Sequence, residues 1–328
     1  MAEKQQKKFI PFFEILKDAG RIVWQNRFLL WFGFLMALGS PGSFNLGRDE
    51  QNLGGQPDKI GKFFEAHWQI AVVLAVVLLA LGIILFLVSL VARAGLVKSV
   101  NLLSQNKKTG FQAGWRAGKK YIGKLFVLAV LFFLAIFVLI VVLAVPVVYL
   151  VIAKSWLAAV LVGLFAIAIF IPLVFIFSLT KTFAEFYIVL SGLNVRSAIE
   201  TGYELLLQNI GNSIVFSLLL VVVSLAAGLV LLPVAGLALL ILIPSGIAFF
   251  YLNKIAFGIF LAFATLLFLA AVLFVSSIFQ AWKMTAWTLY FREIAKTEKP
   301  ATAEAAAEEE LAKSIAPTPV PPTTQKLE

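Results

Sequence analysis

The chain contains no Cys and a single His, His67. Thiolate nucleophiles, iron–sulfur clusters and Cys/His zinc sites are thereby excluded, and no metal or other cofactor is expected. Hydrolysis by paired carboxylates needs acids that converge in a pocket. Here Asp and Glu fall in four separate places: the N-terminus, the segment from Arg48 to Glu65, the segment after Lys181, and the C-terminal end. One pair has a useful spacing. Lys181 and Glu185 stand four residues apart, so on a helix they share a face. They form a candidate polar site, whose bland alternative is a surface ion pair contributing little.

A second pattern is cationic. Arg116, Lys119, Lys120 and Lys124 interleave with Phe111, Trp115, Gly118 and Ile122. At 3.6 residues per turn the latter set falls on one face and the basic set covers the rest. Long basic side chains in such a helix snorkel toward anionic headgroups, so these four are candidate lipid-contact residues. His67 beside Trp68 reads as an interface residue. The segment holding Arg48, Asp49, Glu50, Asp58, Lys59, Lys62 and Glu65 reads as a solvated loop.

The elements that must position these residues follow from composition. Of 328 residues, 61% are hydrophobic and 13% charged, against roughly 25% charged in soluble domains. That excludes a soluble two-domain protein and, for the bulk of the chain, disorder. Uncharged stretches run from Phe28 to Gly47, Trp68 to Ala92, Leu125 to Ala153, Ser155 to Thr180, Leu205 to Asn253 and Ile255 to Trp282. About 20 helical residues cross a hydrocarbon core. The stretch after Leu205 is read as an interfacial segment followed by one span from about Ile214 to Leu242, with a turn at Pro244-Ser245-Gly246. Two spans turning near Pro233 are the alternative. The expected fold is therefore all-α, with six membrane spans in three hairpins.

Charge orients them. Of the 27 Lys and Arg, 22 fall on the side of the termini and 5 on the other, so the positive-inside rule places both termini in the cytoplasm. The start is charged and carries no signal-peptide pattern, which leaves the first span as an uncleaved anchor in the bacterial inner membrane. Trp24, Trp31, Trp68, Trp156, Trp282 and Trp287 lie near expected span edges, where indole is favoured. The net charge of +10 thus reads as topology and lipid contact, with no need for nucleic acid.

Each hairpin is preceded by a similar segment. Ala19-Gly20, Ala117-Gly118 and Thr201-Gly202 recur at the same place, and Gln25-Asn26 and Gln208-Asn209 close the first and third copies. Each copy is expected to be an amphipathic interfacial helix, with Asn194 as a plausible N-cap of the third. The units run about 9–97, 98–182 and 183–295. Residues 296–328, rich in Ala, Glu, Pro and Thr, are expected to be a disordered cytoplasmic tail, with Ala301 to Lys313 transiently helical and Pro317 to Pro322 extended as a tether for a protein partner.

Phe13-Glu14-Ile15-Leu16-Lys17-Asp18-Ala19-Gly20 leading into Phe28-Leu29-Leu30-Trp31, the loop Gly192-Leu193-Asn194-Val195-Arg196-Ser197-Ala198-Ile199 after Glu185, and the ending Ala286-Trp287-Thr288-Leu289-Tyr290-Phe291-Arg292-Glu293 carry a resemblance. Over roughly Phe9 to Ala295 the chain resembles uncharacterised bacterial six-helix membrane proteins similar to the membrane domain of glycerophosphoryl diester phosphodiesterases. That resemblance implies a six-helix membrane fold. It implies no activity, because no phosphodiesterase catalytic domain follows within the 33 residues after Ala295.

The expected spans contain no Asp, Glu, Lys or Arg in their interiors, which argues against proton-coupled transport. The expectation is a non-enzymatic membrane protein that binds lipid, organises the membrane or scaffolds a partner. The alternative is a permease for a small or amphiphilic solute, built on spans kinked at Pro146, Pro172 and Pro233.

Overall fold

The computed structural model describes residues 10–39 and 68–315. The loop around Arg48 to Glu65, His67, the end of the first expected span and the Pro-rich end of the tail lie outside the described residues. The described residues form helices α1 (Phe12–Gln25), α2 (Phe28–Gly39), α3 (Trp68–Leu103), α4 (Phe111–Ile152), α5 (Trp156–Ser191), α6 (Val195–Gln208), α7 (Ile210–Leu252) and α8 (Lys254–Ile315), and no strand is found among them.

Among the described residues, four helical segments are long and apolar enough to cross a membrane: Trp68–Leu103, Phe111–Ile152, Trp156–Ser191 and Ile255–Ala295. The number rises to six if the bent pairs α1–α2 and α6–α7 each count as one span. Their outer surfaces carry side chains such as Leu79, Phe133, Leu157, Phe165 and Phe263, each more than half exposed. Apolar area left in water forgoes about 25 cal/mol per Å², whereas against lipid tails it carries no such cost.

The bent pairs have a local cause. In α1, Ile15, Ala19 and Val23 point inward at four-residue spacing, while Glu14, Lys17, Asp18 and Arg21 point out. In α6, Ala198, Gly202, Leu205 and Leu206 are buried and Arg196, Glu200 and Glu204 are exposed. Each helix ends on an Asn. Asn26 donates both its backbone N–H and its Nδ2 to the Ile22 carbonyl, at 3.0 and 2.9 Å. Asn209 does the same to the Leu205 carbonyl, both at 3.2 Å. The chain then turns by 104° into α2 and by 89° into α7. The second copy of the segment has no Asn at this place, and α4 runs unbroken from Phe111 to Ile152. Two of the three expected interfacial helices are thus separate elements, and the third is the first turns of a long helix.

The turn expected at Pro244-Ser245-Gly246 does not form. α7 continues through Pro233 and Pro244 to Leu252, so no reversal occurs near Pro233 either. The break falls at Asn253, whose Oδ1 accepts the Ile255 N–H at 2.8 Å while its carbonyl accepts the Phe257 N–H, an N-terminal cap for α8. α8 extends to Ile315 and takes in Ala301 to Lys313, the part of the tail expected to be transiently helical. Ala and Glu, strong helix formers, dominate that segment.

α3, α5 and α8 touch one another pairwise; α2 packs on α3 and α8, α4 on α3 and α5, α6 on α5, and α1 and α7 on α8. Buried side chains gather where these meet. One cluster joins Ile15, Leu125, Phe183, Phe186, Phe216 and Tyr290, and a second joins Val23, Phe32, Leu96 and Ala281. Phe216 stacks on Tyr290 with ring centroids 4.3 Å apart, and the Tyr290 hydroxyl pairs with Ser213 Oγ at 3.0 Å.

The glycine of each recurrent small-Gly dipeptide lies against another helix. Gly20 lies against Trp282 of α8, Gly118 against Val91 and Gly95 of α3, and Gly202 against Ala184 of α5. A Cβ at Gly118 would run into the Val91 carbonyl oxygen. Each segment therefore leans through its glycine on a long helix: α8, α3 and α5 in turn.

Candidate functional site

The first turns of α4 hold the cationic row. Gly114 and Gly118 face α3 closely, and Phe111 stacks on Phe32 of α2 at 4.8 Å and on Trp115 at 5.9 Å. This fixes the rotation of the helix about its axis. Arg116, Lys119 and Lys120 consequently stand exposed. The Lys119 ammonium lies 5.9 Å from the centroid of the Trp115 ring, within the range of a cation–π contact. No carboxylate pairs with these three among the described residues.

Lys124 differs. It is partly buried, and its ammonium donates to the carbonyls of Gly192 and Leu193 at 2.9 and 3.0 Å. Gly192 is the left-handed C-cap of α5, with φ 74°. Lys124 thus satisfies the carbonyls leaving a helix end and ties α4 to the α5–α6 turn. Two of its three N–H donors are committed inside the protein. The helix-wheel reading placed it with the other three because periodicity alone does not reveal the neighbour from α5.

The second candidate pair is a larger constellation than its spacing indicated. Glu185 has only 5% of its side chain exposed, so it is no surface ion pair. Its main partner is Arg93 of α3, whose Nη1 lies 3.1 and 3.0 Å from the two carboxylate oxygens. Lys181 is farther, at 3.9 Å from Oε1. Lys283 of α8 is near enough to Arg93 for their positive charges to repel. Two cations from two helices thus face one buried carboxylate, and Arg93 in turn feels the charge of Lys283 from α8. From the sequence, Arg93 and Lys283 count only among the 22 basic residues on the side of the termini. The clue was available, because Arg93, Lys181 and Lys283 are each the first charge after an apolar stretch. What the sequence withholds is that α3, α5 and α8 pack against one another.

Chemically, the arrangement neutralises a carboxylate and clamps α3 to α5 by charge-assisted hydrogen bonds. No group of three His, Cys, Asp or Glu suited to a metal ion occurs among the described residues. Pro146 and Pro172 sit exposed within unbroken helices. Asn194 occupies the N-cap position of α6 without a side-chain capping bond, and the Arg196–Glu200 pair is exposed at 2.9 Å.

No curated protein and no solved structure matches the chain. Nothing found links it to a phosphodiesterase membrane domain. Residues 26–293 match the family described as a family of unknown function, DUF7544, and that match takes in both candidate sites. Since it spans most of the sequence, the chain belongs to that family.

Proposed function

We propose that the chain is a non-enzymatic integral protein of the bacterial cytoplasmic membrane that binds anionic lipid headgroups through Arg116, Lys119 and Lys120 and so organises the membrane around it. In this reading it crosses six times as three hairpins, both termini are cytoplasmic, and the distal part of the tail tethers a protein partner. The observation that carries the reading is the exposure of three cations, unpaired by acid, on the turns of α4 that precede its apolar stretch. A polybasic cluster at that level contributes about 1 kcal/mol per residue near an anionic surface. The 22-to-5 partition of basic residues supports the orientation. The resemblance described above concerns a membrane domain only, and no catalysis is carried over from it.

The test is lipid retention. Full-length protein is extracted from a mixed membrane, and bound phosphatidylglycerol and phosphatidylcholine are counted by native mass spectrometry. Arg116→Gln/Lys119→Gln/Lys120→Gln lowers phosphatidylglycerol relative to phosphatidylcholine. An unchanged ratio rejects the reading.

A further inference from the structure

An open cavity of about 490 Å³, lined about equally by polar and apolar atoms, lies between the end of α1, the α3–α4 turn and α8. That volume falls within the range of roughly 300–1,000 Å³ typical of small-molecule sites. Its walls carry three cations, Arg21, Lys107 and Lys108, against one acid, Asp18, and its apolar lining includes Leu103 and Leu289. Asp18 reaches Arg21 at 3.5 Å, with both side chains more than half exposed. This leaves the two lysines as the uncompensated charge of the cavity.

Their placement is built into the backbone. Asn106 adopts φ 57°, a left-handed conformation that Asn tolerates better than most residues. The Asn106 N–H donates to the Leu103 carbonyl at 2.9 Å and the Lys107 N–H to the Leu102 carbonyl at 3.0 Å. This is the paired bonding of a Schellman motif. It stops α3 and sets Lys107 and Lys108 on the cavity rim at a fixed register, opposite Arg21 on a different helix.

Cations from two elements around a cavity larger than a bare anion suit an anionic centre carrying a substituent. We infer that this cavity binds a phosphate ester, with Lys107, Lys108 and Arg21 on the phosphate oxygens. The substituent lies toward the apolar lining. The site shares no residue with the α4 row and stands independently of it.

The experiment uses full-length protein and two probes. Inorganic phosphate is titrated calorimetrically into detergent-solubilised protein, and retention of phosphatidic acid over phosphatidylcholine is measured in mixed-lipid nanodiscs. Lys107→Gln/Lys108→Gln is compared with Arg116→Gln/Lys119→Gln/Lys120→Gln. Phosphate binding weakened about tenfold or more in the first variant and unchanged in the second supports a site open to free phosphates. No phosphate binding, together with a phosphatidic acid preference reduced about tenfold in the first variant only, supports a site for the headgroup of a lipid. Arg21→Gln, on a separate element, gives the same result if the pair variant fails to fold. Both probes unaffected by Lys107→Gln/Lys108→Gln and by Arg21→Gln, or reduced equally by the α4-row variant, overturn the inference. Failure of the α4 row is read separately, from phosphatidylglycerol retention in its own variant.

Discussion

Arg93 on α3 brings one guanidinium nitrogen to 3.1 and 3.0 Å from the two carboxylate oxygens of Glu185 on α5, a residue 92 positions away. The Glu185 side chain is nearly inaccessible while the Arg93 side chain is about one-third exposed. Burial on one side and partial solvation on the other make the pair asymmetric. Losing Arg93 strands a buried anion, with Lys181 at 3.9 Å as a weaker substitute. Losing Glu185 leaves a cation that can still reach polar surroundings.

That asymmetry sets the first prediction. Arg93→Met destabilises the protein by roughly 2–4 kcal/mol, and Glu185→Gln by less. The pair Arg93→Met/Glu185→Leu recovers part of the loss, because it removes the stranded charge together with its partner. Reversible unfolding in mixed micelles measures all three, and a double variant no more stable than Arg93→Met would show that the pair is uncoupled.

The Asn residues at 26 and 209 give the second. Each donates twice to a carbonyl one turn back, at the point where the chain bends. Asn26→Ala and Asn209→Ala each lose the side-chain bond, at about 0.5–1.5 kcal/mol. Asn209→Leu additionally favours extending α6 straight into α7. A spin-label pair on α6 and α7 then reports a more open angle than the 89° of the native chain.

These positions also show how far the sequence could be read. Gln-Asn at the end of the first and third copies was visible, and both copies break there. The second copy ends in Gly123-Lys124, lacks the amide, and does not break. The difference was legible in the letters, and its meaning emerged once the amides were seen to cap the helices. The helix read for Ala301 to Lys313 lies within α8, in keeping with the helix propensity of Ala and Glu. The turn placed at Pro244 failed because Gly and Pro are weaker punctuation in an apolar helix. Arg93 meets Glu185 only through the docking of α3 on α5, which no local pattern encodes.

The glycines of α4 give the third prediction. Gly118 has no room for a side chain beside the Val91 carbonyl, whereas a Cβ at Gly123 meets nothing within 4 Å. Gly118→Val forces α3 and α4 apart and costs about 1–3 kcal/mol. Gly123→Ala, five residues on, instead stabilises by up to about 1 kcal/mol, because Ala is the better helix former. Opposite signs from two neighbouring glycines would establish the α3–α4 crossing, and equal effects would refute it.

The last prediction separates two kinds of lysine that periodicity treats alike. Lys119 and Lys120 are exposed, and Lys124 is held by the carbonyls of Gly192 and Leu193. Removing Lys124 leaves those carbonyls without their charged donor. Lys124→Met is therefore expected to lower unfolding stability by about 1–3 kcal/mol while leaving the phosphatidylglycerol preference near that of the wild type. Lys119→Gln/Lys120→Gln should do the reverse, since an exposed cation contributes little to folding and its attraction to an anionic surface is additive along the row. Measuring both quantities on both variants distinguishes the roles. If Lys124→Met lowered lipid preference as strongly as the exposed pair at unchanged stability, its ammonium would belong to the headgroup site and its bonds to the α5 cap would be incidental.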